Sequence, residues 1–415
     1  MSTPLTATQG HVQLQLLKLP LSHAIVRLAW PTIASLMVVN LFNLIDTYWV
    51  GLLGTQALGG MTAAAFLVWC VHSVGILVGT GVNALVARRV GEGRLGDAGV
   101  AGGHGLILAG GLAFLAMLAG LMLQGTLFRA LHLEAAVQGL AVAYLTPMLL
   151  GMPAIIGWYA IEAIFRGSGD TFTPMWIISL SLGLNMVLDP LLIFGVGPFP
   201  ALGIAGAAWA TIFAHVLAIV GCAWKLRSGP LRPRLFSRGR SRLRLAIFGR
   251  LLRVGSPVAV SGFLFSMIYL FLTRLIADFG SPAVAAVGIG HRIEGVGYYI
   301  CVGFAAAAAT LVGLNLGAGE PARAERAAWR ATVYATAVVG LISLLTYFLA
   351  APIMAVFAQD PLVVAAGDHY LKIIALLEAG MALEVVLEGA FAGAGNSLPP
   401  MLVSVPLTVL RIPVA

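Results

Sequence analysis

The stretches FRGSGDTFTPM at 165–175 and FAGAGNSLPPM at 391–401 lie 226 positions apart. The same offset, held without a gap, sets Arg27 on Arg253, Pro31 on Pro257, Gly54 on Gly280, Tyr144 on Tyr370 and Glu162 on Glu388. One register kept over that distance marks a duplicated unit. Each copy is a series of apolar runs, at approximate limits 24–50, 57–87, 99–123, 136–164, 172–195 and 203–226 in the first and 248–277, 283–315, 327–350, 361–390 and 399–415 in the second. About twenty apolar residues, rising about 1.5 Å each, cross the roughly 30 Å of a bilayer's hydrocarbon, so these runs predict eleven membrane helices. A six-helix unit is even in number, so both copies run the same way and are expected to be related by an axis along the membrane normal. Ala415 falls opposite Asp189, midway along the fifth helix. The expectation is therefore a twelve-helix architecture truncated in its eleventh helix, about 37 residues short of a complete second copy. The expected domains are a cytoplasmic N-terminal segment at 1–23, a six-helix lobe at 24–226, a basic cytoplasmic linker at 227–247, and a second lobe at 248–415 with five of its six helices.

Composition agrees with an all-α polytopic membrane protein. The 415 residues are 60% hydrophobic and only 10% charged, with a mean hydropathy of +0.98. That is too little charge to cover a water-soluble fold of this size, which excludes a soluble enzyme. The net charge of +8 belongs to orientation, not to nucleic acid. Arg88, Arg89, Arg94, Arg166, the ten basic residues from Lys225 to Arg253, and Arg323, Arg326 and Arg330 all fall in loops of one side; with Lys18 and Arg27 they make 19 of 24. Positive loops stay inside, so the N-terminus is expected in the cytoplasm and the chain in the inner (plasma) membrane. The linker RSGPLRPRLFSRGRSRLR at 227–244 suits anionic lipid headgroups. Cys70, Cys222 and Cys301 are far apart in apolar stretches and read as packing residues. The first twenty residues show no cleavable leader, and His11 to Leu19 is expected to lie along the membrane surface.

A charge near the bilayer centre costs at least about 2.5–3.5 kcal/mol on insertion scales, so each one needs a reason. Asp46 lies in VVNLFNLIDTYWVG near Asn40 and Asn43, and Asp189 lies in LGLNMVLDPLLIFG four residues after Asn185, on the same helix face. Proline at 190 frees the carbonyl of Met186 as a further acceptor. Each acid could simply bond neighbouring helices, but two acids with adjacent amides in one unit favour an ion pathway. Only the first copy has them: Leu272 stands opposite Asp46 and Ala415 opposite Asp189. Glu162 and Glu388 occur in both copies and read as structural. Asp368 and Lys372 can pair at i,i+4, whereas Glu378 and Glu384, six apart, cannot share one face. Gly91-Glu-Gly-Arg-Leu-Gly96 spells a dinucleotide fingerprint, but it follows a membrane helix and not a strand, so it reads as a turn. No P-loop, HExxH or G-x-S-x-G occurs, and the histidines are scattered.

From about Leu19 onward the chain resembles the multidrug and toxic compound extrusion (MATE) transporters, in their DNA-damage-inducible branch. The specific pieces are LAWP at 28–31 with NLIDTYWVG at 43–51, NMVLDPLLIFG at 185–195, and FRGSGDTFTPM. The resemblance implies two six-helix lobes forming a V around a central cavity. It also implies export of small lipophilic, often cationic, compounds in exchange for protons or sodium. It assigns ion coupling to Asp46, Asn185 and Asp189, which would hold sodium if that is the ion, with Thr211 of GAAWATIFAH as the sixth-helix contributor. In relatives, protonation of the first-helix aspartate is associated with bending at the proline that matches Pro31. The expected partners are cationic substrates and membrane lipids, with no nucleic acid, no cofactor beyond the coupling ion, and a monomeric state. Cargo contacts are expected from Met37, Asn40, Asn43, Trp49, Met61, Met267 and Tyr269, together with Trp30 and Phe66, because methionine and aromatic surfaces repack around varied shapes. The rival readings are a flippase for a lipid-linked saccharide, which would need a cationic cavity, and an intramembrane enzyme.

Overall fold

The computed structural model describes residues 16–130, 134–228, 243–277, 279–358 and 360–414. Twelve long helices account for almost all of them: α1 (Leu21–Gly51), α2 (Thr55–Gly91), α3 (Leu95–Ala130), α4 (Ala135–Leu150), α5 (Met152–Gly167), α6 (Phe172–Phe194), α7 (Ile204–Ser228), α8 (Leu245–Ala277), α9 (Ser281–Gly317), α10 (Pro321–Phe357), α11 (Pro361–Ala394) and α12 (Leu398–Val414). Among the described residues there is no strand. Eight of these helices are each long and apolar enough to cross a membrane, and α4 with α5 makes a ninth, bent span. α11 is long enough at 34 residues but carries Asp368, Lys372, Glu378, Glu384 and Glu388, and α12 is shorter at 17. Large apolar side chains such as Leu115, Met122, Trp176, Leu180 and Phe348 point outward, while alanines and glycines fill the contacts between helices. That inversion suits lipid, where helices associate by close backbone approach and not by hiding apolar surface from water.

The repeat is visible in the helix limits, since α2 and α9 are offset by 226 residues at both ends. It is visible again in the turns, where Gly54, Gly93 and Gly169 and their counterparts Gly280, Gly319 and Gly395 all have positive φ. Gly169 and Gly395, at 86° and 85°, explain the duplicated motif. Each turns the chain left-handed after one helix so that the next can start beside the first helix of its copy. Asp170 accepts from Thr173 N at 3.0 Å and from Thr173 Oγ1 at 2.6 Å, which organises the start of α6. The Thr171 hydroxyl donates to the Arg27 carbonyl at 3.4 Å. That carbonyl is the one Pro31, lying inside α1, cannot satisfy. In the second copy the Ser397 hydroxyl donates to Val254 O, beside the equivalent Pro257.

The copies differ in their fourth span. The single run expected over 136–164 is two helices at 49°, broken at Gly151. Pro153 has no N–H to give to Leu149, and Pro147 lies within α4, so the ladder is interrupted where the chain bends. The equivalent positions are Ile373, Leu377 and Ala379, and α11 runs unbroken through them. Most of the N-terminal segment expected along the membrane surface, residues 1–15, lies outside the described residues, and Leu16 to Leu19 dock on the bundle. Leu16 is buried beneath Gly169, and Arg323 donates to the carbonyls of Leu16 (3.4 Å) and Leu19 (2.6 Å). Cys222 and Cys301 are buried as expected, and the Cys70 side chain is outside the description.

The two copies meet through α1 against α9, α2 against α8, and α2 against α9. A Cβ on Gly91 would collide with the Leu314 carbonyl, and one on Gly317 with the Arg88 carbonyl. The register exchanges 88 with 314 and 91 with 317, so this is one contact made twice about the internal twofold. Nearby, Thr310 Oγ1 donates to Asn83 Oδ1 at 3.3 Å, both side chains buried. Replacing Gly317 by leucine should force the lobes apart and cost at least about 1–3 kcal/mol, the usual penalty of overpacking. Gly340→Ala in α10, where a Cβ meets nothing within 4 Å, should be neutral or stabilising. Thermal unfolding of both variants in detergent checks this, and equal midpoints would refute it.

Candidate functional site

α1 packs along α6, and α6 along α7. Asp46 is five residues before the end of α1, and Asp189 five before the end of α6, so both stand about 7–8 Å inside the ends remote from the arginine-bearing loops. Asp46 is 2% exposed, and Asn185 and Asp189 are fully buried. The i,i+4 pair lies on one face of α6, and the Asp46 and Asp189 carboxylates are close enough for their charges to interact. Tyr144 of α4, also buried, lies within electrostatic reach of both. Asp46 Oδ1, both Asp189 oxygens and both polar atoms of Asn185 are buried without a hydrogen-bond partner. Pro190 inside α6 withholds the donor that Met186 O would otherwise receive. Thr211 is buried on α7, its hydroxyl donating to Ala207 O at 3.0 Å. Among the described residues no counter-charge pairs with these acids, and hard oxygen donors of this kind suit a proton or a small alkali cation.

The expected cargo residues are not gathered in the same way. Met37 and Asn40 are half-buried on α1, and Asn43 is exposed, its carbonyl accepting from Thr47 at 2.7 Å. Neither amide shares the burial of Asp46. Trp49 lies edge-on to Tyr48 (5.1 Å) and Phe194 (6.3 Å), with its indole nitrogen buried and unpartnered. Met61 packs half-buried on the core, and Met267 is half-buried on α8. The side chains of Phe66 and Tyr269 lie outside the described residues. A groove of about 620 Å³ opens at the arginine-bearing end between α1 and the start of α6, where His23, Arg27, Trp30 and Phe172 line it. Of the expected cargo residues, it includes Trp30 alone.

Two further polar clusters stand outside the ion site; the first escaped the sequence reading, whereas the His291/Glu294 pair and Glu378 of the second were visible in sequence without a role. In the first lobe His72 of α2 meets Tyr159 of α5, with Nδ1 2.7 Å from the hydroxyl, and His215 of α7 lies near His72. In the second lobe the Ser343 hydroxyl donates to the buried Glu378, and Glu294 receives Tyr370 at 3.5 Å and His291 at 3.2 Å. Glu384 is exposed, so it and Glu378 do face differently, and Asp368 and Lys372 pair at 2.8 Å. The one linear signal available for the first cluster was His215 standing a helical turn beyond Thr211.

The MatE family model matches residues 31–191 and 257–415, one stretch in each copy, beginning at the equivalent Pro31 and Pro257. Among curated proteins, the chain is 27% identical over 404 residues to the FAD transporter of Shewanella oneidensis, covering 96% of this chain and 88% of the relative. It is 29% identical over 411 residues to a probable multidrug resistance protein, NorM, of Thermotoga maritima, covering 94% and 84%. Among solved structures, a MOP superfamily transporter from Pyrococcus furiosus superposes with a TM-score of 0.87 at 26% identity, over 95% of this chain and 88% of that one. With a family match across both copies and the same helical architecture, the chain belongs to the MATE family of multi-pass membrane transporters.

Proposed function

We propose that the protein is a secondary active antiporter that exports lipophilic cations in exchange for protons or sodium, with the coupling site in the first lobe. The observation that carries this reading is the pair of buried, unpartnered carboxylates, Asp46 and Asp189, around Asn185. Two acids in that setting hold charge only with a cation or a shared proton, so cationic cargo and coupling ion compete for one place. The acid set is the one the DNA-damage-inducible branch uses, and membership of that branch is proposed on the same ground. An anionic dinucleotide, such as the cargo named for the Shewanella relative, would meet like charge there. One chain contributes helices to both lobes, which supports a monomer as the working unit, with no cofactor proposed beyond the coupling ion. The arginine-rich loops support a cytoplasmic position for that end of the bundle and for the N-terminus, in a plasma membrane.

The switch is read in α1. Asp46 stands fifteen residues beyond Pro31, about 22 Å along the axis. Neutralising it releases the cation it would otherwise hold and favours a second arrangement of a helix already weakened at Arg27 O, which accepts from the Thr171 hydroxyl and not from its own helix. An inward proton crossing about 100 mV supplies about 2.3 kcal/mol before any pH gradient, comparable to a modest conformational gap. Pro257 has Leu272 at the place of the acid and should be a passive kink.

In vesicles containing the full chain, a labelled cationic dye should accumulate under an imposed pH or sodium gradient, and FAD or a lipid pyrophosphate should not. Asp46→Asn and Asp189→Asn should still bind dye but lose gradient-driven transport by at least about tenfold, the equivalent of about 1.4 kcal/mol in coupling. Wild-type accumulation by either variant would remove the coupling assignment. Pro31→Ala, which restores a donor to Arg27 O, should slow transport more than Pro257→Ala does, as compared by initial rates under one gradient.

A further inference from the structure

Below the coupling acids the first lobe holds a second set of polar groups that the ion site does not use. His72, Tyr159 and His215 come from α2, α5 and α7 and converge inside the lobe. The His72 and Tyr159 rings meet edge to face at 5.9 Å and 88°, with Nδ1 and the hydroxyl 2.7 Å apart. His215 Nδ1 bonds Thr211 O at 2.8 Å, which leaves Nε2 as its free acceptor. Tyr159 lies within electrostatic reach of Glu162 and Arg166 on its own helix and of Tyr298 and Tyr299 on α9. Glu162 and Arg166 pair at 3.6 Å, close to the arginine-bearing end of α5.

The groups are ordered in depth. His215 stands eleven residues into α7, about 17 Å from the end that holds the acids. His72 stands seventeen residues into α2, about 26 Å from the same end. Tyr159 is eight residues, about 12 Å, from the opposite end of α5. The His72–Tyr159 pair is not repeated: Tyr298 stands opposite His72 and Val385 opposite Tyr159.

We propose that His72, hydrogen-bonded to Tyr159, relays protons from the interior of the first lobe to the cytoplasm. This rests on the antiport reading and names its ion as the proton. His72 takes a proton on Nε2 from the His215 side and gives up its Nδ1 proton to the Tyr159 oxygen. The phenol passes its own hydroxyl proton to the Glu162 carboxylate and so ends as it began. Glu162 releases the proton to cytoplasmic water and re-forms its pair with Arg166, and His72 resets by a ring flip. Imidazole suits the step because its two nitrogens can face a donor and an acceptor at once.

The test uses the full chain in phosphatidylethanolamine–phosphatidylglycerol vesicles with tetraphenylphosphonium as probe. Two rates are read for each variant: uptake driven by a pH gradient, and exchange of labelled for unlabelled probe at equal pH, which needs no net proton movement. His72→Gln and Tyr159→Phe should lose gradient-driven uptake by at least about tenfold while exchange stays within about twofold, the pattern of a lost proton-transfer group. His369→Gln, at an exposed histidine bonded to Ala365 O, should change neither rate. Wild-type gradient-driven uptake in both relay variants overturns the relay and leaves the antiport reading standing. Equal loss of uptake and exchange makes the pair structural and also overturns it. A wild-type chain that follows no pH gradient fails the proton-antiport reading itself, and the relay falls with it.

Discussion

Two backbone carbonyls, those of Arg88 and Leu314, lie against the bare α-carbons of Gly317 and Gly91. In lipid there is little solvent force to hold two lobes together, so van der Waals approach of backbones must do it, and only glycine permits approach this close. The contact sits where α2 and α9 cross the internal twofold and fixes how each lobe meets the other. The polar tie between Asn83 and Thr310 nearby restricts sliding without adding charge.

Duplication supplies the scaffold, and departures from it supply the chemistry. The turns with left-handed glycines and the hydroxyl ties at Thr171 and Ser397 recur because a six-helix unit needs them to close. The buried acids, His72 and the bent fourth span occur in the first copy, and Leu272, Ala415, Tyr298 and an unbroken α11 stand opposite them. The second copy carries instead Glu294 and Glu378 with hydroxyl partners from Tyr370 and Ser343. A carboxylate with a hydroxyl donor is already satisfied, which separates it chemically from Asp189, whose two oxygens have none.

Much of this was legible in one dimension because membrane helices announce themselves by length and apolarity, and repeats by register. The burial of Asp46, Asn185 and Asp189 followed from the cost of polar groups in lipid and from i,i+4 spacing. What was not legible depended on which face of one helix meets another. His72 and Tyr159 are 87 residues apart, with nothing local to pair them. The docking of Leu16 under Gly169 likewise needs the third dimension. The break at Gly151 is a different failure, since Pro147, Gly151 and Pro153 stood in plain sequence and an apolar run was read straight through them.

That break divides the labour of one span. Tyr144, facing the acids, rides on α4, and Tyr159, facing His72, rides on α5, with the 49° elbow between them. Because Pro153 already leaves Leu149 without its donor, changing the elbow's angle sacrifices little of the local ladder. The two tyrosines can therefore move as passengers of separate rods, and a tilt of the half nearer the acids need not drag the other half with it. An unbroken helix such as α11 transmits displacement along its whole length, so the jointed span lets one end of the lobe deform while the other keeps its shape.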